Sequence, residues 1–467
     1  MGENYLIKDG KKRLKNDPTL SAGVVEDQTA MSLAILHSVN RALADCKFSE
    51  ATYQKAGAVL GRDLFVEKSK RKEKLAGFIK KHGISQPSFL LISPTKACNL
   101  RCIGCYADSD SNVQSLDWDI VDKTITDAHD EWGVQFTVIS GGEPLAYRSQ
   151  GKTILDLAEK HPDNYFMFYT NSTLITDEVA QRMAALGNIV PMISLEGWRE
   201  RTDARRGVGV FDKVMSAMDR LYEAGVIYGV SLTATRENAE EILSDEFIDF
   251  LFHKKHAVMG WIFQYMPIGR SYTLDLMPTP EQRLQMWKQS WKLVREKNIF
   301  LADFWNHGTV VDGCLSAGGH GNGGYMYIDW NGNVSPCVFV PYSPVNIKEV
   351  YAKGGNLTDI FNEPFFTDLR KWQADKKVKT NGKNLLNPCP IRDHNADLRQ
   401  LIRKHEVEPL DLNAAEALQD ANYAKGMDVY GEKYQKIVDT VWEKVYVQNS
   451  PLEAEDTEKL TELFAEK

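Results

Sequence analysis

Residues 95–106 read Thr95-Lys96-Ala97-Cys98-Asn99-Leu100-Arg101-Cys102-Ile103-Gly104-Cys105-Tyr106. Three of the chain's seven cysteines therefore lie within eight residues, in the spacing C-x3-C-x2-C. Three thiolates so placed can bind three irons of a 4Fe-4S cube and leave the fourth iron open to a small molecule. A zinc site is the alternative, but zinc usually has four protein ligands in paired C-x2-C units, and no fourth ligand lies nearby in the sequence. The spacing therefore favours iron.

The cysteine spacing resembles the signature of the radical S-adenosylmethionine (radical SAM) superfamily. The resemblance implies that Cys98, Cys102 and Cys105 hold the cluster, whose open iron binds SAM. It also implies that reduction of SAM gives a 5'-deoxyadenosyl radical, which takes a hydrogen atom from the substrate. One departure is visible, because relatives usually carry an aromatic residue just before the third cysteine, where this chain has Gly104. Tyr106 follows that cysteine instead, and the resemblance implies that this segment contacts the adenine.

Length and composition indicate a compact protein without a bias toward nucleic acid. At 467 residues the chain is long enough for one large domain with smaller additions. Its 56 lysines and arginines against 64 aspartates and glutamates give a net charge of −8, which argues against a nucleic-acid partner. No apolar run reaches the roughly 18 residues of a membrane span, and the first residues lack a signal-peptide pattern. We therefore expect a cytoplasmic protein with reduced cysteines and no transmembrane segment.

Six short runs rich in β-branched and aromatic residues alternate with longer helical stretches, which predicts an α/β protein built of parallel βα units. The predicted strands are Phe89–Ile92, Gln135–Ser140, Tyr165–Thr170, Val190–Ser194, Tyr228–Thr235 and Gly260–Met266. The resemblance turns this pattern into a partial (β/α)6 radical SAM barrel over residues 86–305, preceded by a helical N-terminal extension over residues 1–85. Functional groups should then lie at the carboxyl ends of the strands.

A second, small domain is predicted over residues 306–395, where glycine, aromatic residues and turns replace the βα pattern. Asn331-Gly332 separates two strand-like runs, Tyr325–Ile328 and Val334–Val340. Asn-Gly between strands is a strong signal for a hairpin with a type I′ turn. Residues 396–467 return to helical, charge-rich sequence, and we assign no chemistry to this tail.

Polar motifs at the predicted strand ends occur in the order in which the family uses them to hold SAM. Gly141-Gly142-Glu143-Pro144 follows the second strand and resembles the GGEP motif, whose backbone and acidic side chain accept the amino group of SAM. Paired glycines allow close backbone approach, and a carboxylate suits an ammonium. The resemblance further implies cofactor contacts from Asn171, Ser194, Glu196, Arg206 and Gln264. For Ser194 and Glu196, the alternative is that they only close strand ends.

Two further assignments leave alternatives open. Asp203-Ala204-Arg205-Arg206-Gly207 resembles the D-x-x-R-G segment of relatives with extra clusters. A guanidinium fits the SAM carboxylate bidentately, and the neighbouring Arg205 is as suitable as Arg206. Tyr265, at the end of the sixth strand, is a candidate catalytic donor of a proton or an electron, and a packing wall is the alternative.

Three cysteines in the second half of the chain indicate an auxiliary cluster. Cys314 and the pattern Gly332-x4-Cys337 resemble the opening of a SPASM or Twitch domain, and Cys389 is the third candidate ligand. The dense cysteine series that holds a second auxiliary cluster in full SPASM domains is absent. The resemblance therefore implies a Twitch-like domain with at most one auxiliary 4Fe-4S cluster. His394, His320, a carboxylate or no residue completes the ligand set; three unrelated buried cysteines are the alternative.

The resemblance implies radical chemistry in peptide or protein modification, because relatives with one or two auxiliary clusters often modify peptides. Modification of a small metabolite, a cofactor precursor or a lipid is the alternative among enzymes. A non-catalytic iron-sulfur electron carrier is the alternative outside them. The electron would come from a reductase such as flavodoxin or ferredoxin. A basic run, formed by Lys68, Lys70, Arg71, Lys72 and Lys74, is either a solvated helix face or a contact for anionic lipid or an acidic partner.

Overall fold

The computed structural model describes residues 2–17, 20–61, 76–111, 114–318, 324–379, 384–453 and 456. The basic run of residues 68–74 and His320 lie outside these described residues. The strands are β1 (Leu90–Ile92), β2 (Phe136–Ile139), β3 (Tyr165–Thr170), β4 (Ile189–Leu195), β5 (Gly229–Ala234), β6 (Met259–Gln264), β7 (Leu301–Asp303), β8 (Tyr327–Ile328), β9 (Asn333–Ser335), β10 (Tyr342–Ser343), β11 (Val345–Asn346) and β12 (Glu408–Pro409).

Helices surround these strands and form both ends of the described chain. They are α1 (Gly2–Asn16), α2 (Ala22–Asp45), α3 (Glu50–Gly61), α4 (76–82), α5 (Trp118–Trp132), α6 (Ile154–Lys160), α7 (Asp177–Leu186), α8 (Arg199–Arg206), α9 (Val210–Ala224), α10 (Asp245–Asp249), α11 (Pro280–Glu296), α12 (Ile347–Ala352), α13 (Leu357–Ile360), α14 (Pro364–Lys379), α15 (Asn395–Lys404), α16 (Leu412–Gln419) and α17 (Ala421–Val441). The predicted helical N-terminal extension is therefore present.

A ten-stranded sheet carries the fold, in the order β11-β9-β8-β1-β2-β3-β4-β5-β6-β7. β1 to β7 are parallel neighbours in sequence order, and helices connect them, as parallel strands require. All six predicted strands are present, each within two residues of its predicted bounds. β7 is a seventh parallel strand that the sequence did not reveal, because its residues Leu301-Ala302-Asp303 include two types that strands disfavour.

The helix α9 illustrates how the sequence builds the layer that covers the sheet. Its buried residues recur at helical spacing, from Val210 and Phe211 to Val214, Ala217, Met218 and Leu221, so one face of the helix is apolar. Gly225 ends the helix with a left-handed φ of 78°, a conformation that glycine adopts without steric cost. The apolar face of α9 therefore packs on β4.

Alternation along the strands decides which side chains face the interior of the barrel. On β3, Phe166 and Phe168 are fully buried in the main hydrophobic core. Their neighbours Met167 and Tyr169 line a cavity instead, because successive side chains of a strand point to opposite faces. The barrel interior therefore contains a cavity, and the inward-facing side chains of the strands line it.

The predicted hairpin is present, but its turn is not of type I′. β8 and β9 pair in antiparallel fashion, with Ile328 opposite Val334. The turn is closed by a hydrogen bond of 3.0 Å from Gly332 N to Asp329 O, so Trp330 and Asn331 are its central residues. Type I′ needs positive φ at both central residues, and neither has it, whereas Gly332 has a φ of 91°. The Asp329 carboxylate selects this turn, because it accepts hydrogen bonds from the backbone of Asn331 and Asn333.

The hairpin joins the edge of the barrel sheet, because β8 runs parallel to β1 with Leu91 opposite Tyr327. Residues after 305 thus extend the same sheet and bring their turns to the strand ends of the barrel. The predicted domain bounds at residues 85, 305 and 395 remain predictions.

The N-terminal and C-terminal helices pack against each other and against the barrel. Met31 of α2, Trp291 of α11 and Tyr434 of α17 belong to one buried apolar cluster. The C-terminal helices therefore support the barrel rather than standing apart from it. No described helix is both long enough and apolar enough to span a lipid bilayer.

Asp27 ties these helices together through a fully buried carboxylate. It accepts hydrogen bonds from Thr309 Oγ1 at 2.7 Å and from the Tyr446 hydroxyl at 2.8 Å, and it pairs with Arg295. Burial raises the pKa of Asp27 from 3.8 to about 6, against the lowering effect of Arg295. Compared with the unfolded chain, the folded state therefore favours the protonated form of the Asp27 carboxyl.

We expect Asp27→Asn to change how stability depends on pH. Because the folded-state pKa lies above the unfolded one, the contribution of Asp27 is present at low pH and is lost as the pH rises through about 6. Relative to the variant, the wild type should lose about 2 kcal/mol of unfolding free energy between about pH 4.5 and about pH 7. Urea unfolding of both proteins at the two pH values measures this. A difference that is independent of pH would contradict the prediction.

Candidate functional site

A cavity of about 470 Å³ reaches from the carboxyl ends of the strands into the barrel. Six cysteines line it, in two groups. We call Cys98, Cys102 and Cys105 the first thiol trio; the second thiol trio consists of Cys314, Cys337 and Cys389. The fold therefore brings two thiol groups that are distant in sequence to the same space.

The loop of the first thiol trio is held in place by backbone contacts and two arginines. Cys98 N donates to Asp110 O at 2.7 Å. Arg270 donates to the Cys102 carbonyl at 2.8 Å, and Arg205 donates to the Ile103 carbonyl at 3.1 Å. These contacts fix the loop while leaving its thiols directed at the cavity.

Burial raises the pKa of the Cys98 thiol to about 12, with smaller contributions from Glu143, Cys102 and Cys105. The thiol is therefore protonated at neutral pH unless a metal displaces the proton. Asn171 Nδ2 donates to Cys98 Sγ at 3.7 Å, and Leu100 N donates to the same sulfur at 3.4 Å. Such donors stabilise a metal-bound thiolate.

The paired glycines after β2 lie directly against the cysteine loop. A Cβ on Gly141 would approach Thr95 O to 2.6 Å, and one on Gly142 would approach Ala97 O to 2.2 Å. Any side chain here would therefore push the loop away. The Tyr106 hydroxyl lies 2.7 Å from Ser140 Oγ and accepts from Gly141 N at 3.2 Å, so it fixes the turn to the loop.

Glu143 is placed behind the cavity wall. Its fully buried carboxylate accepts from Leu145 N at 3.1 Å, Thr170 Oγ1 at 2.7 Å and Asn171 N at 2.8 Å. Burial raises the pKa of Glu143. The side chain thus joins the glycine turn to the end of β3, and Pro144 begins the short 3-10 helix that follows. Of this motif, the backbone at Gly141 and Gly142 faces the cavity.

Two arginines of α8 share one buried acid. Arg205 Nη1 and Arg206 Nη2 lie 2.6 Å and 2.5 Å from Glu196 Oε1. Both arginines line the cavity, as does Ser194, whereas Glu196 is not among the described lining residues. Glu196 Oε2 has no hydrogen-bond partner among the described residues. Arg205 and Arg206 thus both remain candidates for a carboxylate ligand.

Gln264 connects the end of β6 to the segment that follows Cys389. Its amide nitrogen donates to both Asp303 oxygens at 3.0 Å, and its carbonyl oxygen accepts from Arg392 at 2.7 Å. Asp393 lies 2.7 Å from Arg283 and 3.4 Å from Arg392. These side chains are 0 to 1% exposed. Gln264 is therefore part of a buried ionic network as well as of the cavity wall.

Tyr265 fills the space beside Gly104. A Cβ on Gly104, which has a φ of 63°, would lie 2.6 Å from Tyr265 Cε2. The ring therefore occupies the place that an aromatic side chain before Cys105 would need, which explains the glycine at this position. Burial raises the pKa of Tyr265 to about 12, and its hydroxyl has no hydrogen-bond partner among the described residues. This placement suits the packing wall better than a proton donor.

The second thiol trio lines the same cavity as the first. Cys337 and Cys389 are buried, and Cys314 is half-buried. The Cys337 pKa is raised to about 12 by burial, with smaller contributions from Cys314 and Cys389, so the three thiols lie within electrostatic range of one another. The Tyr325 hydroxyl lies 2.9 Å from Cys337 Sγ.

Neither trio has the geometry of a single-ion site. Among the described residues, no three His, Cys, Asp or Glu side chains lie close enough to hold one metal ion. In a cluster each thiolate binds a different iron, so its ligands lie further apart. Of the fourth ligands considered above, His394 has its Nε2 3.0 Å from the Asn387 carbonyl oxygen and its ring against Trp372.

Family comparisons agree with this arrangement. Residues 92–246 match the radical SAM superfamily model. The chain therefore contains a radical SAM domain. Residues 320–390 match an iron-sulfur cluster-binding domain, SPASM. The radical SAM domain implies a 4Fe-4S cluster and SAM, and the SPASM domain indicates auxiliary iron-sulfur binding.

Individual proteins are similar to this chain in sequence or in structure. The mycofactocin maturase MftC of Mycolicibacterium smegmatis is 29% identical over 300 residues, which cover 62% of this chain and 74% of that protein. The AdoMet-dependent heme synthase of Methanosarcina barkeri is 25% identical over 56% of this chain and 80% of that protein. The structure of Streptococcus suis SuiB bound to the precursor peptide SuiA has a TM-score of 0.53 and 21% identity over 68% of this chain and 75% of that one; this likeness shows the fold.

The residues of the radical SAM site fit the cofactors that the family implies. The first thiol trio supplies three soft ligands beside a glycine turn that no side chain obstructs. Arg205 and Arg206 supply cations for a carboxylate. The second thiol trio supplies three further soft ligands to the same cavity. The roles assigned to the individual residues remain proposals.

Several residues of the site have no signal in the sequence. Arg392 is a buried cation next to the Cys389 segment, and Met31 and Ile35 of α2 line the cavity although they come from the N-terminal extension. The sequence predicted a helical N-terminal extension, but it did not predict that α2 of this extension would reach the cavity. For Arg392, the only local signal is its position three residues after a candidate ligand.

We expect Tyr106→Phe to weaken SAM binding about tenfold, because the hydroxyl that fixes Gly141 and Ser140 is lost. The dissociation constant of SAM for the anaerobically reconstituted enzyme measures this. Tyr53→Phe, at a half-exposed tyrosine of α3, is the matched control and should leave binding unchanged. Equal affinities of the wild type and Tyr106→Phe would contradict the prediction.

Proposed function

We propose that this radical SAM enzyme modifies a peptide substrate that binds between the two thiol trios. The observation that carries the proposal is that both trios line one cavity. The first thiol trio would hold the cluster that reduces SAM, and SAM bound beside it would supply hydrogen-atom abstraction from an unactivated C–H bond. The second thiol trio would hold an auxiliary cluster that lines the same cavity as the substrate.

The chain's own residues would position the reactants and exclude water. Gly141 and Gly142 offer backbone to the amino group of SAM, and Arg205 or Arg206 pairs with its carboxylate. Asn171 holds the Cys98 thiolate. Tyr265 closes the cavity beside Gly104, which excludes solvent from the reacting groups.

Two comparisons support a peptide substrate. One relative is named a maturase, and a structure with the same fold holds a precursor peptide. A peptide substrate is therefore compatible with this fold. The electron would come from a flavodoxin or ferredoxin, and we place the enzyme in the cytoplasm, where thiols stay reduced.

A tetrapyrrole is the second candidate, because a relative is named a heme synthase. The acidic side chains of such a substrate would need cations. Among the described lining residues the cations are Arg205 and Arg206, and Glu196 already pairs with both. A lipid or other small metabolite remains the wider alternative among enzymes.

The test is hydrogen transfer from a peptide to the cofactor product. The enzyme is reconstituted anaerobically with iron and sulfide, reduced, and incubated with SAM and a deuterated peptide encoded by a short reading frame beside its gene. We expect 5'-deoxyadenosine that carries deuterium. Unlabelled 5'-deoxyadenosine with an unchanged peptide would overturn the peptide assignment. Absence of 5'-deoxyadenosine would favour a non-catalytic electron carrier.

A further inference from the structure

We propose that the barrel interior receives one bulky, uncharged aromatic side chain of the substrate. The proposal rests on the proposed function and names the substrate group that the cavity selects. The relevant region is the part of the cavity that side chains of β2, β3 and β6 and two residues after β7 line. We call it the apolar chamber, lined by Phe136, Val138, Met167, Tyr169, Trp261, Phe263, Phe304 and Trp305.

Aromatic rings form a continuous wall of the apolar chamber. The ring centroids of Tyr169 and Phe263 are 5.4 Å apart, and those of Phe263 and Phe304 are 5.5 Å apart. Trp305 extends the wall to Phe339, at 5.5 Å. Edge-to-face and tilted pairs of this kind favour a further ring as guest.

Few charges line the cavity, and each has a partner. Among the described lining residues they are Arg205, Arg206 and Asp303. Glu196 pairs with both arginines, and the SAM carboxylate assigned to this pair would balance the remaining positive charge. Both oxygens of Asp303 accept hydrogen bonds from Gln264. His307 is neutral, since burial lowers its pKa to about 3. A charged substrate group would therefore lose its hydration without gaining an ion-pair partner.

Three hydroxyls next to the rings give the chamber a polar edge, with Ser231 beside Trp261 and Thr233 beside Phe263 in the strand register. Ser194 of β4 lies beside Ser231 of β5 in the strand register, and Thr233 follows on the same face of β5. Ser231 is only 7% exposed. Among the described residues, no hydrogen bond engages these three hydroxyls. They can therefore bind the hydroxyl or ring N–H of a phenol or an indole.

The N-terminal extension supplies the apolar mouth of the cavity. Met31 is buried there, while Ile35 is 38% exposed and Val311 is 41% exposed, and all three line the cavity. Exposed aliphatic residues at an opening make entry of an apolar group favourable. The three hydroxyls favour the side chain of tyrosine or tryptophan over a hydrocarbon chain, because a hydrocarbon chain offers them no hydrogen-bond partner.

Binding can be tested without turnover. The enzyme carrying both clusters and SAM is dialysed to equilibrium against N-acetyl-L-tyrosinamide, N-acetyl-L-tryptophanamide, their glycine, lysine and aspartate counterparts, and 1-decanoylglycerol. The free ligand is measured by mass spectrometry. We expect the aromatic amides to bind about tenfold more tightly, or more, than the glycine, lysine and aspartate amides. Comparable affinities, or tighter binding of 1-decanoylglycerol than of every amide, would overturn the proposal.

Two variants at Ser231 locate the binding site. Ser231→Met fills the chamber and should weaken binding of the aromatic amides about tenfold or more. Ser216→Met, at an exposed serine of α9, is the control and should bind as the wild type does. Binding that Ser231→Met leaves unchanged would place the ligand elsewhere and overturn the proposal. Iron content shows that the variant is folded.

Ser231→Ala keeps the proposal testable if Ser231→Met does not fold. It removes the hydroxyl without adding volume, so we expect about threefold weaker binding of N-acetyl-L-tyrosinamide and unchanged binding of N-acetyl-L-phenylalaninamide. Equal effects on both amides would overturn the polar edge. Because these measurements need no peptide turnover, their failure is distinguishable from failure of the proposed function, which deuterium transfer tests.

Discussion

Replacing Cys98, Cys102 and Cys105 together by alanine is expected to abolish 5'-deoxyadenosine formation while leaving about four irons per chain. The lost thiols supply the first cluster. The remaining irons would be held by the second thiol trio, whose members line the same cavity. Anaerobic iron and sulfide analysis beside the wild type, together with assay of 5'-deoxyadenosine, measures both effects.

Cys46→Ala is the matched control for the triple variant, because Cys46 is the one cysteine of the sequence outside both trios. It should retain about eight irons and full activity. Loss of essentially all iron from a folded triple variant would refute the auxiliary cluster. That result would leave a single-cluster enzyme and shift weight toward a small-molecule or lipid substrate.

Asp393→Asn is expected to lower the free energy of unfolding by about 3 to 5 kcal/mol. Asp393 lies 2.7 Å from Arg283 Nη1 and 3.4 Å from Arg392 Nε, and all three side chains are at most 1% exposed. Removing the carboxylate charge leaves two buried guanidinium groups without their shared acid. The same side chain accepts from Cys389 N at 3.4 Å, so auxiliary iron should fall as well.

A surface ion pair provides the control for this prediction. Asp245 lies 3.0 Å from Lys297, and its side chain is 51% exposed. Asp245→Asn should cost less than about 1 kcal/mol, because water screens the pair and can replace it. Urea unfolding of both variants and the wild type gives the comparison. Equal losses for the two variants would show that the buried network contributes no more than a surface pair.

The parallel strands were predictable because their pattern is local. Runs of apolar and β-branched residues such as Tyr165–Thr170 specify a buried strand without reference to the rest of the chain. β7 escaped prediction, because alanine and aspartate, two of its three residues, are disfavoured in strands, whereas the equally short β1 consists of leucine and isoleucine. The prediction of a type I′ hairpin turn was wrong. Asn331-Gly332 alone favours that type, but the Asp329 carboxylate stabilises a different turn.

The candidate site was partly readable in the same way. The first thiol trio and the glycine pair at 141–142 each lie within one short segment, so each could be recognised from the local sequence. The side-chain directions were not readable. Glu143 turns behind the wall to join β3, and Glu196 neutralises Arg205 and Arg206 together. These outcomes depend on which donors the neighbouring strands bring within reach.

The sequence by itself determined the first thiol trio, the order of the βα units and the radical SAM family, because each is encoded by spacing within a short segment. Only the tertiary structure decided that Cys314, Cys337 and Cys389 meet at the cavity, and that Met31 of the N-terminal helix faces it. Such meetings join residues far apart in the chain. They depend on packing between whole elements and on buried charges that must find partners, and no local pattern records either.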